Sequence, residues 1–149
     1  MEYNEDQWYW YMCSYGYELN KKLACKVVKD MVWTMDNAEI SGVKASFLFS
    51  RGQTLLNLFT ALQMFQDKEL NYTDDKRKFR LGAISPFAAN LGFGLYNCQG
   101  KQKLQMFHNE KAHPIPLCND EYGNCEWNEF KKNYSNLINN CRYEEFCKV

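Results

Sequence analysis

The residues best suited to chemistry are Ser50-Arg51-Gly52-Gln53-Thr54, which follow a short apolar run and open a helical pattern. An arginine here suits an oxyanion, because a guanidinium stays charged and forks onto two oxygens. The turn would lie at the carboxyl end of a strand, where α/β folds place ligands. Gln53 and Thr54 are ordinary helix-start residues, Thr54 as a capping group, and Arg51 could equally be a solvent-facing turn arginine. A second cationic group, Lys76, Arg77, Lys78 and Arg80, could meet a polyanion, although a charge run of this kind more commonly makes a solvated loop.

The two histidines, His108 and His113, fall on an alternating segment and a Pro-rich one. With no third ligand in view they do not make a metal site, and nothing marks a Cys–His nucleophile. No cofactor is expected. The seven cysteines include no Cys-x-x-Cys pair, which weighs against zinc and for disulfides in an oxidising compartment. Local bridges Cys118–Cys125 and Cys141–Cys147 are within reach, but sequence alone does not fix the pairing. The odd count leaves at least one thiol free or bound to another chain.

Asn71-Tyr72-Thr73 and Asn133-Tyr134-Ser135 are glycosylation sequons, which agree with a secretory route. The first residues, Met1 to Asp6, are polar and acidic where a leader would be basic and apolar. Secretion therefore implies a leader outside this sequence. No apolar run is long enough to span a membrane. Eighteen basic and 18 acidic side chains balance, so no global field would draw in nucleic acid.

These residues need elements to position them. The chain has 149 residues, enough for one core, and shows no repeats or linkers. We read 1–149 as a single domain. Aromatics crowd the N-terminal stretch at Trp8, Tyr9, Trp10 and Tyr11, as in core packing. Leu23, Val27, Val28, Met31, Val32 and Met35 recur at three and four, predicting a helix over 21–35, and Ser41-Gly42 turns the chain. Val43–Phe49 fits a strand buried on both faces, of the kind found in parallel sheets. A helix carrying Leu55, Leu58, Phe59, Leu62 and Phe65 follows. Pro86 opens a second strand, alternating from Phe87, whose Gly92 and Gly94 suggest close packing on one face. Gln99-Gly100 turns it into Lys103–His108, giving a hairpin near 87–108. Trp127, Phe130, Tyr134, Leu137 and Ile138 mark a last helix. The fold class is α/β, with a mixed sheet, flanking helices and a strand-turn-helix at 43–65.

Several segments, in order and spacing, resemble the histidine acid phosphatases, and within them the multiple inositol polyphosphate phosphatases. They are Tyr15-Gly16-Tyr17-Glu18-Leu19-Asn20, Phe47 to Leu56, and Arg77-Lys78-Phe79-Arg80-Leu81-Gly82. Ile84-Ser85-Pro86-Phe87-Ala88-Ala89-Asn90-Leu91 follows, with Leu95-Tyr96-Asn97-Cys98, Leu104-Gln105-Met106 and Asn109-Glu110-Lys111. The resemblance implies an α/β fold and phosphomonoester hydrolysis. In that family an Arg-His-Gly-x-Arg motif supplies the phosphorylated histidine, and a His-Ala-Glu motif supplies a phosphate ligand and the proton donor. Neither His108 nor His113 follows an Arg or precedes a Gly, and the resemblance aligns Met1 with an interior point of the family's chain. The His-Ala-Glu position falls on Arg51-Gly52-Gln53, so the relic positions are Arg51 and Gln53. With nucleophile and acid both missing, the expectation is a non-catalytic, secreted binding or structural protein in an oligomer. The alternative is one chain or fragment of an active phosphatase whose nucleophile-bearing half lies on another segment. In either case the 43–49 strand lacks its sheet neighbours, which predicts a homodimer or a second chain completing the sheet.

Overall fold

The computed structural model describes residues 2–71 and 73–146. It begins with α1 (Glu2–Cys13), which turns Asp6, Trp10 and Cys13 into the core and leaves Trp8, Tyr11 and Met12 exposed. The N-terminal aromatics are thus divided. Trp10 packs edge-on against Phe79 at 5.1 Å, while Trp8 faces solvent.

The helix expected over 21–35 forms as two, α2 (Glu18–Leu23) and α3 (Cys25–Asp36), broken at buried Ala24. Val28 and Val32 supply the buried stripe of α3, as the spacing requires. The short α4 (Ala38–Ser41) ends at Gly42, whose φ of +69° is the left-handed cap that glycine adopts without penalty. The central helix α5 (Gly52–Ala61) buries Leu56 and Phe59 and packs against α1, α2 and α3. A single turn, α6 (Leu81–Ile84), follows.

The sheet is antiparallel throughout the described residues. Strand β1 (Leu91–Cys98) pairs with β2 (Lys101–His108), Cys98 opposite Lys101. The two-residue loop between them has φ of +53° at Gln99 and +83° at Gly100. A connection with both central residues left-handed matches the twist of a hairpin. The strand begins later than the alternation predicts. Pro86–Asn90 is a turn, with Ala89 N donating to the Pro86 carbonyl and Ala88 at φ +61°. A second hairpin, at Asn109-Glu110, leads into β3 (Lys111–His113), and both turn residues again have positive φ. Strand β4 (Cys125–Glu126) pairs with the other end of β2.

The predicted last helix is also divided, into α7 (Trp127–Asn133) and α8 (Ser135–Asn139), with a further turn α9 (Tyr143–Phe146). Helix α7 lies on β2 and α8 on α3. Trp127, Phe130, Leu104, Met106, Ile115, Leu56 and Phe59 form the centre of the core.

Two disulfides close the fold. Cys118–Cys125 joins a local loop, as the spacing allows. Cys141 pairs with Cys25, 116 residues away, and so does not make the local bridge to Cys147, which lies outside the described residues. Among the described cysteines, Cys13 is a buried thiol and Cys98 an exposed one.

The largest departure from expectation is at 43–49. These residues form no strand and all lie exposed. Phe47, Leu48 and Phe49 are 80%, 72% and 96% exposed. The physical reason is the want of a ladder. A strand is stable only when its backbone groups are paired, and no described strand lies beside this segment.

Candidate functional site

Arg51 occupies the N-cap of α5 in extended conformation, with φ −85° and ψ 158°. Its carbonyl accepts from Thr54 N at 3.0 Å, closing the first turn. The Arg51 side chain makes no capping bond. Arg51 and Gln53 are exposed, and the Arg51 guanidinium has no hydrogen bond or ion pair among the described residues. Ser85 approaches the turn, its Oγ lying 3.6 Å from where a Cβ on Gly52 would be. One turn below Gln53, the Asn57 Oδ1 is buried without a hydrogen-bond partner. The junction thus presents an unpaired guanidinium, an amide and the free backbone N–H groups of a helix start. That combination can hold an oxyanion.

The second cationic group is not brought to this junction as a cluster. Arg77 donates from Nη2 and Nε to Asp6 Oδ2, at 2.9 and 3.3 Å, and Asp6 Oδ1 accepts from Leu81 N at 2.7 Å. The Asp6 side chain is fully buried and Arg77 nearly so, so this pair is internal structure. Arg80 pairs with Glu2 at 3.1 Å; their hydrogen bond pushes the arginine above its ordinary value and holds the Glu2 carboxyl below its own. Lys76 and Lys78 extend into solvent, anchored by backbone bonds to Asp74 and Asp67.

Both histidines are engaged in packing. The His108 Nε2–H donates to the Ile84 carbonyl at 2.7 Å, and its ring meets Phe59 and Phe65 at 5.2 and 5.1 Å. His113 donates from Nδ1 to the Pro114 carbonyl at 2.9 Å. Among the described residues no three His, Cys, Asp or Glu side chains gather as metal ligands. Both sequon asparagines are exposed; the Asn71 Oδ1 accepts from the Thr73 hydroxyl at 2.8 Å. Asn133 sits on α7 with Nδ2 donating to the Leu117 carbonyl at 2.8 Å.

Sequence reasoning missed the anchors that hold the end of α5. The residues after it, Gln63 and Phe65, have φ of +62° and +56°. Left-handed backbone is unusual for such side chains. Two tyrosines hold it in place: the Tyr15 hydroxyl donates to the Met64 carbonyl, and the Tyr134 hydroxyl reaches the Leu62 and Pro116 carbonyls. Burial raises both phenols well above the ordinary tyrosine value. Two clefts, of about 220 and 650 Å³, flank this turn and share Gln63, Gln66, Asp67 and Lys68; neither includes Arg51. Asp6 had a legible signal, being a lone carboxylate on the stripe shared by Trp10 and Cys13. Tyr15 and Tyr134 had none, because their partners are backbone carbonyls distant in sequence.

A scan against protein-family profiles finds no match. Individual relatives do match. The chain is 29% identical to human multiple inositol polyphosphate phosphatase 1 over its full length and 34% of that protein. It is 30% identical to the Gallus gallus protein of the same name, covering 37% of it, and 31% identical to that of Drosophila melanogaster, covering 32%. The chain therefore spans about a third of the length of the curated relatives it matches. Its fold matches the crystal structure of the phytase from D. castellii with a TM-score of 0.74, over 93% of this chain and 31% of that one, at 17% identity. No helix among the described residues is long and apolar enough to cross a membrane. Matched in sequence from end to end, and sharing the fold of part of a phytase, the chain belongs with the histidine acid phosphatases as a multiple inositol polyphosphate phosphatase-like member.

Proposed function

We propose that this chain is a non-hydrolytic relative of the multiple inositol polyphosphate phosphatases. In this reading it holds a phosphorylated ligand of the inositol phosphate class at the start of α5, as a secreted binding or structural component of an oligomer. One observation carries the reading: the junction offers Arg51 with an unpaired guanidinium and Gln53 with an amide, both open to solvent. A guanidinium can grip phosphate oxygens. An amide cannot release the proton that a departing alcohol needs, a contribution worth about 10²–10⁴-fold in rate. His108 and His113, each donating to a backbone carbonyl, are not poised as nucleophiles. The two disulfides support an oxidising compartment, and both sequon asparagines, Asn71 and Asn133, are exposed.

The reading is tested by titrating phytate calorimetrically onto the purified chain and its Arg51→Ala variant. The expected result is a measurable affinity that weakens about tenfold or more on losing the charge-assisted bonds. Equal affinity in the two proteins would remove Arg51 from the site.

The bare 43–50 segment favours a second reading, in which this chain is one part of a phosphatase whose nucleophile is carried by another segment. Gln53 weighs against it, since a supplied nucleophile does not restore the acid.

A further inference from the structure

We propose that the cleft of about 650 Å³ beyond the C-terminal end of α5 binds an organic carboxylate, its apolar body against Phe65, Pro114 and Pro116 and its charge toward Lys68 and Lys78. Helix α5 spans 10 residues, about 15 Å of axis, and Arg51 stands at its other end. The cleft is therefore a site apart from the Arg51 junction, whatever that junction holds.

The wall that follows α5 is held in a conformation that side chains rarely adopt. Gln63 and Phe65, neither of them glycine, have φ of +62° and +56° on either side of Met64. Left-handed backbone of this kind collects at ligand clamps, where the surrounding structure over-determines it. Here the Tyr15 and Tyr134 hydroxyls bond the Met64 and Leu62 carbonyls. The Phe65 ring meets Phe59, His108 and His113 at 5.3, 5.1 and 5.3 Å. In the other apolar wall, His113 donates to the Pro114 carbonyl at 2.9 Å and the Tyr134 hydroxyl to that of Pro116. With both walls pinned, a ligand meets a site already formed.

Charge decides the class of ligand. Lys68 and Lys78 are exposed on the rim, and neither ammonium group has a hydrogen bond or ion pair among the described residues. Asp67 is the one carboxylate among the residues that line the cleft, and it is already engaged. Its Oδ1 accepts from Lys78 N at 3.0 Å and its Oδ2 from Phe79 N at 2.9 Å. Two free cations beside proline and phenylalanine surface suit a negative charge carried on an apolar body. A polyphosphorylated ring would set its oxygens against those apolar walls, where they lose water without gaining a donor. An amine would face two like charges. A volume of about 650 Å³ lies within the usual range for small-molecule sites.

The test titrates octanoate onto the isotopically labelled chain and follows its backbone amide resonances. Octan-1-ol supplies the apolar body without the charge, and inorganic phosphate the charge without the body. The expected result is saturable octanoate binding at millimolar concentration or below, at least tenfold tighter than either control, with the largest shifts at 63–68 and 113–119. Lys68→Gln with Lys78→Gln is expected to weaken octanoate at least tenfold and to leave octan-1-ol unchanged. Lys44→Gln, which removes an exposed cation outside the cleft, leaves octanoate binding intact. Because Lys68 and Lys78 are exposed, the substitutions do not threaten the core, and an unchanged melting temperature verifies this. Three results would overturn the proposal: no saturation by octanoate, equal affinity for octan-1-ol or phosphate, or octanoate shifts that lie elsewhere or survive the double substitution. A failure of phytate to bind bears on the Arg51 junction alone.

Discussion

At the scale of single residues, the molecule separates side chains that build it from those left free to act. Arg77 was legible as a cation but not as a structural one, because Asp6 lies 71 positions away and only the fold joins them. Breaking a buried pair leaves the surviving charge uncompensated, so Asp6→Ala is expected to lower unfolding stability by about 3–5 kcal/mol. Urea titration of the purified variant measures it. Arg51→Ala at the exposed junction is expected to leave stability nearly unchanged. The buried phenols of Tyr15 and Tyr134 give a pH dependence of definite sign. Their folded values are raised, so the native state keeps protons that the unfolded chain gives up. Their stabilisation is complete below the ordinary tyrosine value near 10 and declines as pH rises above it. Tyr134→Phe is expected to cost about 1 kcal/mol at neutral pH through the lost hydrogen bond and to flatten the alkaline decline. Denaturation midpoints between pH 7 and 12 show both effects.

At the scale of elements, what could be read from sequence was what is decided locally. The 91–108 hairpin follows from alternation around Gln99-Gly100, and α5 from its apolar spacing. The glycines Gly92 and Gly94 do face a close neighbour, Phe107, although at 3.9 and 3.8 Å a Cβ there would make ordinary contact. Gly16 is different. A Cβ at that position would stand 2.5 Å from the Tyr11 Cα, where backbone cannot yield cheaply. Gly16→Ala is therefore expected to destabilise by about 1–3 kcal/mol, as overpacking does, and Gly94→Ala to be tolerated. Thermal melts of the pair distinguish the two cases. The second hairpin at Asn109-Glu110 was illegible because a glutamate seldom takes left-handed backbone. The 43–49 strand misled for another reason. Its composition is that of a buried strand, and composition does not say whether the neighbours are present.

At the scale of the whole molecule, the chain is held by long-range ties that sequence spacing conceals. Cys25–Cys141 fastens the start of α3 to the tail across 116 residues. Trp127 and Lys131 both donate to Asp36, at 2.7 and 2.9 Å, joining α7 to the end of α3. Closing a loop of that length restricts the unfolded chain, so Cys25→Ser with Cys141→Ser is expected to cost about 4 kcal/mol. The family was legible because its motifs survive in order over the whole chain. The proposed function is to grip a phosphate ester without cleaving it. Its most direct test is inorganic phosphate release from phytate and from p-nitrophenyl phosphate by the purified chain, alongside Arg51→His with Gln53→Glu. We expect no release above buffer from either protein, because the double change restores the acid but not the nucleophile. Sustained turnover by the unaltered chain, lost in Arg51→Ala, would contradict the account.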